Sequence, residues 1–142
     1  MLSTRTGRHQ LTAAALSAAL ALTAAVATPS MVAAQEVVVS TATDDLGTYL
    51  VGPDGRTLYY FTRDVTPGQS VCFGGCLEAW PPLLVGEGQE LVAAEGVTGT
   101  LASLPRDDGT MHATYRGRPL YYWVSDTEPG QTTGHDVGQV WY

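Results

Sequence analysis

The sequence predicts a mainly β fold: a small antiparallel β domain built from two tandem hairpin-type repeats, with little helix. Three observations carry that expectation. Residues 55–69 read GRTLYYFTRDVTPGQ and residues 117–131 read GRPLYYWVSDTEPGQ, with nine of fifteen positions identical, so one structural unit is used twice. Short runs rich in β-branched and aromatic residues alternate with Pro, Gly and Asp turn signals. No segment sustains an apolar period of 3.6 residues.

The elements are expected in the following order. Glu36–Ser40 is a valine-rich strand, broken by Asp44-Asp45. Thr48–Val51 is a second strand. Pro53-Asp54-Gly55 turns it into a returning strand at Arg56–Thr62, and the pair makes a hairpin. Pro67-Gly68 leads into a cysteine loop. Leu77–Trp80 makes one helical turn, ended by Pro81-Pro82, which cannot continue a helix. Residues 87–99 are only weakly periodic and read as a linker. Strands follow at Thr100–Leu104 and Met111–Tyr115, around an Asp107-Asp108-Gly109 turn. Arg116-Gly117 turns into Arg118–Val124, Pro129-Gly130 repeats the earlier turn, and Gln139–Tyr142 closes as a strand. The two repeats then span about 46–86 and 99–142 within one domain of residues 35–142.

Residues 1–34 stand outside this plan. Arg5, Arg8 and His9 precede an Ala/Leu-rich run from Leu11 to Val26 and then small residues. That is the pattern of a cleaved signal peptide, with Gln35 as the expected mature start and Thr28 as the alternative. The expected location is therefore secreted, periplasmic or extracellular. The apolar run is at the short end of what a spanning helix needs, and no later segment resembles a membrane span. No cysteine lies near the cleavage site, so no lipid anchor is expected. Removing Arg5 and Arg8 leaves five arginines, no lysine and fourteen acidic residues. So acidic a surface disfavours nucleic acid and anionic membrane.

Cys72 and Cys76 are the only cysteines. In an exported protein an even pair most simply forms a disulfide. Phe73-Gly74-Gly75 lets the loop bend. A loop this short gains little chain entropy from closure, so the bond pins a local shape. Neither a second ligand pair for zinc nor the C-x-x-C-H of covalent haem is present.

Within the repeated phrase, alternate side chains of a strand share a face. Tyr59 and Phe61 point one way, Leu58 and Tyr60 the other. Tyr121 and Trp123 oppose Leu120 and Tyr122. Such strands are either buried on both sides, as a core of aromatics, or have one face stacked on a ligand. Tyr60, Trp80, Tyr122 and Trp141 are the ligand-binding candidates. Asp64 and Asp126 sit at the strand exits, where a carboxylate can cap the N–H groups of the Pro-Gly loop or hold a ligand. Arg56 and Arg118 could pair with them bidentately. His112, His135 and Asp136 are candidate metal ligands. No nucleophile–base pair, phosphate-binding glycine loop or calcium loop can be defended, so no catalytic residue is expected.

The motifs Y-x-F-x-x-D (Tyr59, Phe61, Asp64) and Y-x-W-x-x-D (Tyr121, Trp123, Asp126) resemble those of a bacterial secreted-repeat family. Its members are described as predicted lipoproteins with a Y-x-[FWY]-x-x-D motif. The resemblance continues through Ser70–Cys72 to Cys76, Ala79-Trp80-Pro81-Pro82-Leu83, and Asp108-Gly109 to Tyr115, covering the chain from about Leu46 onward. It implies export and, for many members, a lipid anchor, but no established activity. The sequence therefore predicts a non-enzymatic envelope or extracellular protein that binds a small molecule, a glycan or an envelope protein. The alternatives are a metal- or redox-handling accessory and a purely structural envelope protein. No cofactor is expected, with metal and haem left open.

Overall fold

The valine-rich run after residue 34 forms a longer strand than its composition suggests. In the computed structural model, which describes residues 33–142, β1 (Gln35–Asp44) continues to Asp44 before turning back into β2 (Gly47–Val51). Asp44 does not break the strand. Its Oδ1 accepts the Leu46 N–H at 2.7 Å, so the side chain caps the hairpin turn instead. Of the expected signal segment, residues 1–32 lie outside the described residues.

The chain next makes a short helix, α1 (Gly75–Ala79), then β3 (Leu84–Val85) and β4 (Gln89–Ala93). β4 corrects the sequence reading, which took residues 87–99 for a linker. It lies parallel to β1, pairing Gln35 with Gln89 through Val39 with Ala93. The first half of β1 is thus held by β4, and its second half by β2, in the order β2-β1-β4. Leu91 is half-buried against the core. The strand was hidden because only one or two of its side chains meet that core, so no clear alternation appears in the sequence.

A second, four-stranded sheet joins β3 to β5 (Leu101–Pro105), β6 (Met111–Tyr115) and β7 (Arg118–Pro119). β6 is central, pairing with β3, β5 and β7, all antiparallel. Among the described residues the fold is mainly β, with two sheets and one short α-helix, as the turn-punctuated sequence predicts.

Neither copy of the repeated phrase forms a long ladder strand, although both are extended. Successive backbone N–H groups find different partners: Leu58 bonds to Leu50 O, Tyr59 to Tyr121 O, Tyr60 to Tyr142 O and Thr62 to Val140 O. In the second copy Leu120 bonds to Ala113 O, Tyr121 to Tyr59 O, Tyr122 to Pro81 O and Val124 to Ala79 O. The phrase is therefore a central cross-link whose backbone groups are satisfied residue by residue. A 3₁₀ turn at Val137–Gln139 takes the start of the expected closing strand. The residues after it pair with the first copy only through the isolated Trp141–Phe61 bridge and the backbone bonds that flank it, to Tyr60 and Thr62.

The alternation read from the sequence survives this irregular pairing. Leu58, Leu120 and Tyr122 enter one core with Val37, Val39, Leu83, Val85 and Ala113. Tyr59, Phe61 and Tyr121 enter a second with Cys72, Trp80 and Trp141. Each copy of the phrase thus separates an aliphatic core from an aromatic one.

Candidate functional site

The two motif carboxylates are buried, and each is held by the tyrosine of the other repeat. Tyr59 donates its phenolic hydrogen to Asp126 Oδ2 at 2.5 Å, and Tyr121 donates to Asp64 Oδ2 at 2.7 Å. The second oxygen of each carboxylate caps the loop that follows. Asp64 Oδ1 accepts the Val71 N–H at 2.7 Å, and Asp126 Oδ1 accepts the Thr133 N–H at 3.1 Å. Each phenol oxygen also accepts a bond, Tyr59 from the Gly134 N–H at 3.1 Å and Tyr121 from the Ser70 hydroxyl at 2.6 Å. Burial, followed by the neighbouring carboxylate in the case of Tyr59, pushes both phenols well above their ordinary range. Burial also raises the Asp64 carboxyl, against the lowering effect of its bonds from Val71 and Tyr121.

Other contacts are reciprocal too. The Arg56 guanidinium lies over the Tyr122 ring at 4.3 Å, and that of Arg118 over the Tyr60 ring at 4.9 Å. Gly55 and Gly117, each at φ 78°, face Pro129 and Pro67 respectively, so that an added Cβ would meet the proline ring at 3.1 Å. Positive φ and close approach together make glycine the residue that fits at these two positions. The arginines do not pair with Asp64 or Asp126 as the sequence suggested. Arg56 Nε pairs with Asp54 at 2.6 Å, and Arg118 makes no ion pair among the described residues.

The aromatic core is a run of stacked rings. Trp123 stacks on Trp80 with centroids 4.2 Å apart, Trp80 on Trp141 at 3.9 Å, and Trp141 on Phe61 at 4.3 Å. Tyr59 and Tyr121 meet Trp80 and Trp141 edge-on. The Cys72–Cys76 disulfide, with Cα atoms 5.3 Å apart, closes the loop before α1 and places Cys72 in this core.

One cavity of about 430 Å³ opens on the tyrosine side of the fold. Thr57, Tyr59 and Leu120 are its buried members, while Tyr49, Tyr60, Tyr115 and Tyr142 are half-buried. Its exposed polar members are Thr48, Arg116, Arg118 and His135, and no Asp or Glu lines it. A second cavity of about 370 Å³ beside the disulfide loop is lined by Ser70, Phe73, Arg106, Asp107 and Asp108 among others. There Arg106 pairs with Asp108 at 3.5 Å.

A family model for a secreted repeat of unknown function, Lipoprotein_15, matches residues 40–84 and 103–142. The chain belongs to that family. The two matched stretches of the secreted repeat each contain one copy of the Tyr–Asp motif and most of the strands around it. No curated protein and no solved structure matches the chain. The family is described as secreted, and no helix among the described residues is long and apolar enough to cross a membrane.

Within this secreted repeat the expected ligand candidates separate. Tyr60 lines the larger cavity. Trp80 and Trp141 belong to the aromatic core and Tyr122 to the aliphatic one, each with under a tenth of its surface exposed, so none presents a ring face to a ligand. Full packing on both sides of the phrase is the reason. The Tyr122 phenol, pushed up to about 12 by burial, packs against Gly52, where an added Cβ would collide with its hydroxyl.

The metal candidates separate as well. His112 is fully buried, its Nε2 2.7 Å from Leu120 O. A carbonyl only accepts, so Nε2 carries the hydrogen and Nδ1 is bare. Burial lowers the His112 pKa to about 4. His135 instead lines the cavity, edge-on to Tyr142. Asp136 accepts the Tyr142 hydroxyl at 2.9 Å. Among the described residues no three His, Cys, Asp or Glu side chains converge as a metal-holding group. Arg116, Arg118 and Tyr142 were missed as site residues. Arg118 repeats Arg56 in the phrase, which made it look structural, and Tyr142 reaches the cavity only through the closing turn.

Proposed function

We propose that this protein is an exported, non-enzymatic binding domain of the cell envelope or extracellular space, and that its site is the tyrosine-lined cavity. The observation that supports this most is the lining itself. Small-ligand sites are concave and mainly apolar, with a few polar groups that orient the ligand. Here four half-buried tyrosines supply flat amphipathic surface and three exposed cationic or titratable side chains sit at the same opening. The motif carboxylates and the tryptophan stack serve as scaffold beneath it, since their polar groups are already satisfied within the fold.

The test is a nitrogen–proton correlation spectrum of the purified domain, titrated with a panel of neutral and charged aromatic fragments and sugars. Binding is expected to shift the amides of Tyr60, Tyr115 and Tyr142, and Tyr60→Ala is expected to weaken it while the domain stays folded. A panel that leaves those amides unmoved overturns the proposal.

A further inference from the structure

We infer that the cavity takes a small ligand that carries a carboxylate on a flat apolar body, with Arg116 and Arg118 holding the carboxylate. This rests on the binding role proposed above and specifies its chemistry.

Three independent observations point the same way. The first is charge placement. After the expected signal segment the chain has only five arginines among fourteen acids, yet two of the five line this one cavity and no carboxylate does. The acids behind the lining are already bonded within the fold: Asp44 accepts the Thr132 hydroxyl, Asp136 the Tyr142 hydroxyl, and Asp64, whose charge Arg118 feels, accepts from the Val71 N–H and the Tyr121 hydroxyl.

The second is the state of the two guanidinium groups. Arg56 and Arg106 are each neutralised by an aspartate two residues away. Arg116 and Arg118 make no ion pair among the described residues. Each is instead laid over a tyrosine of the cavity, Arg116 over Tyr115 at 5.2 Å and Arg118 over Tyr60 at 4.9 Å. Arg116 gives one N–H, from Nη2 to Thr98 Oγ1 at 3.4 Å. Its other N–H groups, and those of Arg118, have no side-chain partner among the described residues and are left for the two oxygens of a carboxylate.

The third is backbone conformation. Arg116 and Gly117 form the two-residue turn between β6 and β7, with φ 51° and 78°. A two-residue hairpin with both φ positive favours Asn-Gly, and a long side chain in the left-handed region is disfavoured. The turn does not explain an arginine at its first position. A side chain that reaches the cavity does.

The experiment compares naphthoate with naphthamide, its neutral isostere, on the wild-type domain, Arg116→Asn and Arg118→Gln, by calorimetry and the same correlation spectrum. Arg116→Asn suits the turn and should melt no lower than wild type, so lost binding there cannot be lost folding. Wild type is expected to prefer naphthoate by at least about tenfold, and each variant to lose most of that preference. If naphthoate and naphthamide bind equally, or if both variants keep the preference, the carboxylate inference is overturned and the binding role stands. If neither compound, nor any of the wider panel, moves the cavity amides, both fall.

Discussion

At the scale of single residues, the chain's polar chemistry is spent on cross-links between the repeats. Asp64 and Asp126 are almost fully buried, and a buried carboxylate left short of a partner costs more than an ordinary hydrogen bond contributes. Tyr121→Phe and Tyr59→Phe should each destabilise by about 2 kcal/mol, measured by urea unfolding. The crossing of the bonds makes a sharper expectation. Tyr121→Phe should couple with Asp64→Asn and be additive with Asp126→Asn, because only the first pair share a bond; equal coupling in both cycles would refute the assignment. His112 supplies a pH dependence. Its folded pKa of about 4 lies below the ordinary 6.5, so the neutral ring is the form the fold accepts. The stability this contributes is complete above pH 6.5 and declines as pH falls from 6.5 toward 4, on the order of 3 kcal/mol in all. His112→Gln keeps a donor for Leu120 O and should show a flatter stability profile over that window. An unchanged slope would remove His112 as its cause.

At the scale of elements, the outcome depends on whether a segment's neighbours are local. β1, β2, β5 and β6 were legible as strands because each is bounded by turn signals. The hairpin expected between β2 and residues 56–62 is not formed: β2 pairs with β1 instead, and only a Val51–Thr57 bridge joins it to the phrase. β4 was not legible, since its partner β1 lies more than fifty residues earlier and a parallel pairing leaves no local sign. Its amides should exchange slowly with solvent deuterium, while those of Glu95–Thr98, which joins β4 to β5, should exchange fast; uniform fast exchange across residues 87–99 would restore the linker reading. The disulfide loop was legible from two cysteines and two glycines alone. Its closure constrains only a short segment, so reducing it should cost about 2 kcal/mol, with chemical-shift changes confined to residues 70–80 and their contacts. Loss of the whole fold on reduction would show that the bond does more than hold this loop.

At the scale of the whole molecule, the two repeats complete one another. The Tyr59–Tyr121 bridge, the exchanged Tyr–Asp bonds, the exchanged Arg–Tyr stacks and the exchanged Gly–Pro contacts all run between the copies. Each core also draws on both halves of the chain. Fragments covering residues 33–86 and 99–142 should therefore be unfolded when separate, because each alone leaves a buried carboxylate and half a core unpartnered. Circular dichroism of the two fragments, alone and mixed, checks this; a fragment that folds alone would show that the repeats are independent units. The same exchange explains why the cavity belongs to neither copy. Tyr49 and Tyr60 come from the first half, and Tyr115, Arg118 and Tyr142 from the second.

The sequence by itself determined the mainly β character, the duplication, the disulfide and the alternation of the phrase between two faces. These follow from local properties: turn chemistry, β propensity, cysteine spacing and the two-residue period of an extended chain. Only the tertiary structure decided that the motif aspartates face the other repeat's tyrosines, that the presumed linker is a strand, and that the arginines of the phrase part company. Arg56 keeps to its own Asp54, while Arg118 is left open on the cavity. Those outcomes depend on which distant segment fills each hydrogen-bonding position. No local pattern encodes that choice, because a buried tyrosine, aspartate or backbone N–H accepts any partner of suitable geometry that packing delivers.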